Sequence, residues 1–185
     1  MAMGLRNSSY AYGSLARAFH WLTVLAVTLA WMIGLFHDAL PKGSPERAAA
    51  MLTHFSLGLS IVALLIMRVL WRVADPAPRP EPTPLGRLGE ISAAAVHGIA
   101  YLLLAAVPVV GVLMVFAAGH ALPVFGLVMI PPPIAADPAL AKMLHPWHEW
   151  LAHALMAVAF VHALAALMHH WVFHDRTLTR MLGRA

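Results

Sequence analysis

Cysteine is absent from this chain of 185 residues. Its absence excludes disulfides, iron–sulfur clusters, zinc–thiolate sites and the C-x-x-C-H attachment of c-type haem. Any haem must therefore be held without a covalent bond to the chain. Carboxylates are also few, since eight Asp and Glu residues stand against twelve His residues. A carboxylate-rich di-iron site, which needs several inward-facing Glu side chains, is accordingly not favoured.

Charge of either sign is scarce, because 11% of the residues are charged and 61% are hydrophobic. A soluble domain would carry about 25% charged residues. The composition therefore predicts a polytopic membrane protein embedded in lipid. The formal net charge of +4 does not indicate nucleic acid binding. The basic residues lie in short segments beside apolar runs, which is a signal of membrane topology.

Four apolar runs are long enough to span a bilayer, at residues 16–36, 50–73, 92–117 and 146–173. We expect an all-α membrane protein, an antiparallel bundle of four transmembrane helices that forms one domain over residues 1–185. The first run is too long for a typical cleaved signal peptide, and we interpret it as a retained helix. The loop at 118–146 carries the apolar stretch LPVFGLVMI at 122–130. We interpret that stretch as a re-entrant or surface-lying lid.

The distribution of Lys and Arg predicts the orientation of the bundle. Nine of the twelve lie in the N-terminal segment, the second connection with its flanking helix end, and the C-terminal tail. The other side carries only Lys42, Arg47 and Lys142. Because cytoplasmic segments are enriched in Lys and Arg, both termini should be cytoplasmic.

Histidines inside the apolar runs are the strongest functional signal. His148 and His162 are 14 residues apart. At about 100° and 1.5 Å per residue, both rings project from one helix face and stand roughly 21 Å apart along the axis. Ionisable or ligating residues are costly inside the hydrocarbon and mark function by default. Two stacked haems would need this arrangement from one helix.

Matching the histidines by depth predicts two pairs. His54 and His148 form an outer pair, and His20 and His162 form an inner pair, with His97 as a competitor at the inner level. Each pair would ligate one haem through both axial positions of the iron. Such a haem does not readily bind oxygen or substrate at the metal and transfers electrons through its edge.

The spacing of 14 residues recurs on the other three helices. It leads from His20 to Gly34, from His97 to Gly111, and from His54 to Arg68. The two glycines would leave room for a flat macrocycle at the outer level. Arg68 would lie at the inner level, where it could pair with a haem propionate.

These residues resemble the prokaryotic cytochrome b561 family of four-helix di-haem membrane proteins, and the resemblance covers nearly the whole chain. The motifs that carry it are FHW at 19–21, HFSLG at 54–58, MRVLWR at 67–72, HGIAYLLLAAVPVVGVLM at 97–114, FGLVMIP at 125–131, HE at 148–149 with His162, and HHWVFHD at 169–175.

The resemblance implies two b-type haems, with ligands that match His20, His54, His148 and His162, and electron exchange with membrane ubiquinone in a bacterial inner membrane. One branch resembles superoxide oxidase, which takes electrons from superoxide outside and reduces ubiquinone. Similar cytochromes anchor hydrogenases and dehydrogenases as electron-transfer subunits, and this remains the alternative. A non-redox membrane protein that moves metal ions is a third reading.

The remaining polar residues receive weaker predictions. Lys142, six residues before His148, is a candidate for steering an anionic reductant. His97 could ligate iron, contact a propionate or a quinone carbonyl, or make a structural hydrogen bond. His153 is expected to be structural, and His37 and His145 to be ordinary outer-loop residues. His169, His170 and His174 should form an interfacial belt or a proton route to quinone.

Overall fold

Four long helices dominate the computed structural model, which describes residues 4–183. They are α1 (Ser14–Phe36), α2 (Pro45–Ala74), α3 (Gly86–Ala117) and α4 (Pro138–Trp171). Each is long and apolar enough to cross a membrane. A short 3-10 helix (His37–Ala39) follows α1, and α5 (Thr177–Leu182) lies in the C-terminal tail. The predicted bundle of four transmembrane helices is confirmed.

The four long helices begin earlier than the apolar runs predict, and in α2 and α4 a capping side chain sets the first turn. The Ser44 side chain accepts a hydrogen bond from the Arg47 amide, and Pro45 follows at the first helical position. Asp137 accepts from the Leu140 amide in the same way ahead of α4. Such caps satisfy amides that the helix itself leaves without partners.

The apolar stretch at 122–130, which the sequence analysis interprets as a re-entrant or surface-lying lid, forms a β-hairpin. Strand β1 (Leu122–Val124) pairs antiparallel with β2 (Val128–Ile130). Phe125 and Gly126 adopt left-handed backbone angles, and the Leu127 amide donates to the Val124 carbonyl at 3.0 Å. Two successive left-handed residues twist a tight turn as paired strands require. Residues 138–146 of the predicted loop belong to α4.

The bundle consists of two helical hairpins, with α1 packed along α2 and α3 packed along α4. Small and branched apolar side chains fill its middle, and we call them the middle layer: Ala26, Ala30, Ile61, Leu103, Leu104 and Leu155. In α2, for example, Ile61 lies halfway between His54 and Arg68. The middle layer therefore separates the end of the bundle with His54 and His148, the outer end, from the inner end with His20 and His162.

Chain segments at the inner end are tied together through Asp75, a buried carboxylate just beyond α2. Asp75 accepts a hydrogen bond from the Asn7 amide at 2.7 Å and pairs with Arg6 at 3.4 Å. The Asn7 side chain in turn donates to the Asp75 carbonyl and accepts from the Gly13 amide. The N-terminal segment is thus fixed against the connection between α2 and α3.

Replacing Asp75 by Ala should release this N-terminal segment, because the Asn7 amide and the Arg6 side chain would lose their acceptor. Hydrogen bonds to charged groups contribute about 1.5–3 kcal/mol each. In detergent, trypsin should therefore cleave after Arg6 and Arg17 faster in the variant. Glu90→Ala, which removes an exposed carboxylate from the start of α3, is the control. Equal cleavage rates in both variants would contradict the anchoring role of Asp75.

Candidate functional site

A cavity of about 280 Å³ opens between the two helical hairpins at the outer end. His54 from α2 and His148 from α4 both line it. Their ring centroids are 6.0 Å apart, and the ring planes meet at 75°. The structure therefore brings together the two residues that the sequence predicts as the outer pair.

Backbone carbonyls fix both outer rings in the same manner. Nδ1 of His54 donates to the Ala30 carbonyl at 2.9 Å, and Nδ1 of His148 donates to the Val107 carbonyl at 3.0 Å. A neutral imidazole carries one N–H, so a donor at Nδ1 leaves the lone pair on Nε2. Metal-binding histidines are held by this kind of hydrogen bond, which sets both the tautomer and the ring orientation.

A glycine lies one helical turn after each acceptor carbonyl, Gly34 after Ala30 and Gly111 after Val107. A Cβ atom on Gly111 would stand 2.9 Å from Cε1 of His148, and one on Gly34 would stand 3.4 Å from Cε1 of His54. Both predicted glycines are thus at the outer level. The nearest neighbours of an added Cβ atom at both positions are the imidazole rings, and the predicted contact of the glycines with a macrocycle stays a prediction.

A second cavity, of about 170 Å³, lies at the inner end and is lined by His20, His97 and His162. The ring centroids of His20 and His162 are 6.2 Å apart, and those of His97 and His162 are 5.1 Å apart. Arg68 also lines this cavity, as predicted, and donates to Nδ1 of His20 at 3.3 Å. The Arg68 guanidinium lies 5.4 Å from the ring centroid of Tyr101, within cation–π range.

The centroid separations distinguish the pairs. An imidazole nitrogen binds a metal at about 2 Å, so two rings that share one metal have centroids roughly 6 Å apart once the ring radii are added. The pairs His54–His148 and His20–His162 match this value. The rings of His97 and His162 are closer than that, which suits direct contact better than a shared metal.

Three histidines that the sequence interpretation placed elsewhere also line the outer cavity: His37, His145 and His153. His145 precedes His148 by three residues, and this helical spacing could have indicated a shared face. Nδ1 of His37 donates to the Gly34 carbonyl at 2.8 Å. His153 accepts a hydrogen bond from the Trp31 indole at 3.1 Å. This contact joins α1 to α4 and could not be predicted from residue spacing.

Lys142 is exposed in the second turn of α4. Among the described residues it is not part of the outer cavity lining, although His145, one turn further along, is. Arg47 is engaged by Asp38 at 2.7 Å and by the Leu40 carbonyl, so its charge is locally compensated. Lys42 is exposed as well.

The cluster of histidines at the end of α4 includes one defined hydrogen bond, from Nδ1 of His169 to the Asp175 carboxylate. The Thr177 amide donates to the same carboxylate at 2.8 Å. Partial burial raises the pKa of Asp175, but the hydrogen bonds from His169 and Thr177 outweigh it and bring the pKa below its usual value. Thr177 also lines the inner cavity, so this cluster adjoins it.

Paired imidazoles between apolar helices define a membrane protein that can hold a flat metal cofactor without covalent attachment. The chain matches the family of prokaryotic cytochrome b561 over residues 11–184. It is 36% identical to cytochrome b561 homolog 2 of Escherichia coli (strain K12) over 185 residues, which cover 99% of this chain and 97% of that protein.

Another relative carries a more specific name. The chain is 34% identical to the probable superoxide oxidase CybB of Yersinia pestis over 179 residues, which cover 94% of this chain and 96% of that protein. It is also 28% identical to cytochrome b562 of Cereibacter sphaeroides over 175 residues, which cover 92% and 94% of the two chains.

The chain belongs to the prokaryotic cytochrome b561 family. It is therefore an integral membrane protein of electron transfer, and membership implies that it binds haem b. The donors present fit that group, because the outer histidines keep Nε2 available and both matched pairs have the separation that one shared metal needs.

Gly111→Ala should disturb the outer site, because the new methyl group would stand 2.9 Å from the His148 ring. The ring would have to move and lose its hydrogen bond to the Val107 carbonyl. We expect less haem per chain by pyridine haemochrome assay and a smaller effect for Gly34→Ala, whose Cβ has ordinary contacts.

Gly98→Ala is the matched control, since it lies on the same helix and its Cβ would meet nothing within 4 Å. Normal haem content in Gly111→Ala would show that the close approach of His148 to α3 is not needed.

Proposed function

We propose that this protein is a di-haem b-type cytochrome that transfers electrons between a periplasmic donor, superoxide, and the ubiquinone pool. The observation that carries the proposal is the stacking of two histidine pairs, one on each side of the middle layer. In this reading the whole chain, residues 1–185, is one transmembrane cytochrome domain.

His54 and His148 would hold the outer haem, and His20 and His162 the inner haem. Each pair joins one helical hairpin to the other, because His20 and His54 lie on α1 and α2 whereas both partners lie on α4. Haem at both positions would supply one-electron carriers at the two ends of the bundle. The protein's part is to hold the rings in place and to keep lipid and water from the metal.

The inner cavity offers further groups to a haem there. Arg68 supplies a positive charge beside His20 and would pair with a propionate. His97 contacts the His162 ring and would act as a neighbour of the ligand rather than as a ligand. At the outer level, Gly34 and Gly111 would act by admitting the rings of His54 and His148 against α1 and α3.

We place the protein in the bacterial inner membrane with both termini in the cytoplasm. The support is the asymmetry of Lys and Arg, nine at the inner end and its connections against Lys42, Arg47 and Lys142 at the outer end. The outer cavity would then face the periplasm, and the inner cavity would lie on the cytoplasmic side.

Superoxide as donor is supported by the name of the Yersinia pestis relative and by the exposed lysines Lys42 and Lys142 near the outer end. Two superoxide anions would be oxidised to two molecules of oxygen while ubiquinone takes up two electrons and two protons to become ubiquinol. Exposed cations raise the local concentration of a small anion and its rate of encounter.

The ligand assignment predicts two protohaems per chain in a pyridine haemochrome assay with a protein determination. His20→Ala should lose one haem, because the inner haem would lose one of the two residues that would hold it. His97→Ala is the matched control at the same level and should keep both. Loss of a haem in His97→Ala together with retention in His20→Ala would reverse the inner assignment.

Purified protein should form ubiquinol from a soluble quinone only when superoxide is supplied. The rate should fall as salt rises, since screening weakens the attraction of the anion. Lys142→Gln should lower the rate of ubiquinol formation and weaken its salt dependence more than Lys42→Gln. Lys142 lies six residues before His148, whereas Lys42 lies in the loop between α1 and α2.

If the haems are present but superoxide yields no quinol, the cytochrome assignment stands and the superoxide assignment fails. Co-purification with a soluble dehydrogenase or hydrogenase subunit would then indicate an electron-transfer subunit of a larger complex.

A further inference from the structure

The hairpin of β1 and β2, residues 122–130, is the one β-structure among the described residues, and it lies beside the outer end. Its first residue is well anchored. Leu122 is buried in a cluster with Val115 and Phe116 from the end of α3. Phe55, the neighbour of His54, packs against the same cluster. Leu122 also lines the outer cavity, so the base of the hairpin is part of the wall of that site.

The turn of the hairpin lies against α2. A Cβ atom on Gly126 would stand 3.3 Å from the Leu52 side chain, two residues before His54. Leu52 is itself 36% exposed. The turn of the hairpin therefore lies alongside α2 on the outer side of His54, and the apolar side chains of the hairpin continue the exposed apolar surface of a membrane-spanning helix.

Strand β2 and the turn present apolar side chains with nothing packed over them. Leu127 is 86% exposed and Val128 is 60% exposed, and Phe125, Met129 and Ile130 are exposed as well. The sequence carries no charged side chain from residue 121 to residue 136. A contiguous apolar patch of this kind is unfavourable in water and marks contact with a membrane or another protein.

The backbone of this segment is compatible with the boundary between the hydrocarbon and the headgroups. Open strand edges are not tolerated deep in lipid, because their N–H and C=O groups would lack partners. Prolines at 123, 131, 132 and 133 remove four N–H donors from the segment. Phe125 has a left-handed φ of 52°, which is unfavourable for a bulky residue. It turns an exposed aromatic side chain outward at the tip.

We propose that this hairpin inserts the side chains of its turn and β2 into the lipid leaflet at the outer end, with the acyl chains as their partner. Its backbone then lies at the level of the headgroups. Lipid is favoured over a protein partner because the patch is continuous with Leu52 on a spanning helix and carries no charge that would complement another surface. The inserted hairpin holds Leu122 in place and closes the cavity wall on the lipid side.

Spin labelling tests this directly, since the chain has no cysteine of its own. Single cysteines would be placed at Leu127→Cys, at Leu102→Cys as a lipid-facing control in the middle of α3, and at Lys42→Cys as an aqueous control in the outer loop. After reconstitution of the haem-loaded protein in phosphatidylcholine vesicles, collision with oxygen and with a water-soluble nickel chelate is measured for each label.

We expect the label at 127 to collide frequently with oxygen and rarely with the nickel chelate, with a depth between the two controls. Collision with the chelate as frequent as at residue 42 would place the hairpin in water and overturn the proposal. Low collision with both reagents would mean that protein covers the patch. Dipolar broadening between labels would then identify a second copy of the chain. Either result would also overturn the lipid assignment.

Discussion

A polar ring in the hydrocarbon must find a partner, and this requirement organises the outer half of the structure. His54 and His148 meet it by donating to the Ala30 and Val107 carbonyls of the neighbouring helices α1 and α3. The His148 ring approaches its carbonyl closely because Gly111 carries no side chain, whereas a Cβ atom at Gly34 would make only an ordinary contact with His54. Each hydrogen bond uses Nδ1 and leaves the lone pair on Nε2. The same contact that removes the cost of a buried polar group thus prepares a ligand.

At the inner end the polar rings contact a charged side chain and one another, and not backbone carbonyls. Arg68 donates to His20 and lies over Tyr101, while the His97 and His162 rings contact each other. The Arg68 guanidinium thus places a positive charge beside the paired rings at this end of the bundle. The two sites therefore differ in electrostatic surroundings although their ring separations are alike. Two haems held there would have different reduction potentials for that reason.

Much of this arrangement could be predicted from spacing alone. A repeat of 14 residues in helices of known pitch fixes depth and face, so His54 could be paired with His148 without coordinates, whereas depth alone left His20 and His97 as competitors for His162 at the inner level. The purpose of Gly111 could not be derived in this way, because a missing side chain leaves space without saying which group fills it. The hairpin at 122–130 was also missed, since hydropathy reports only that the stretch is apolar. The contact of Trp31 with His153 depends on the rotation of α1 and α4 about their axes, and that rotation cannot be derived from a single sequence.

The middle layer of Ala26, Ala30, Ile61, Leu103, Leu104 and Leu155 has one more consequence. Electrons can tunnel between nearby cofactors through saturated carbon, but protons need a chain of water molecules or of hydrogen-bonding groups. These six side chains offer neither. With haems held at both ends, the middle layer would let electrons pass between them while resisting the passage of protons. The rate of electron transfer between the two ends would then depend on the membrane potential, and the protein would not dissipate that potential by leaking protons.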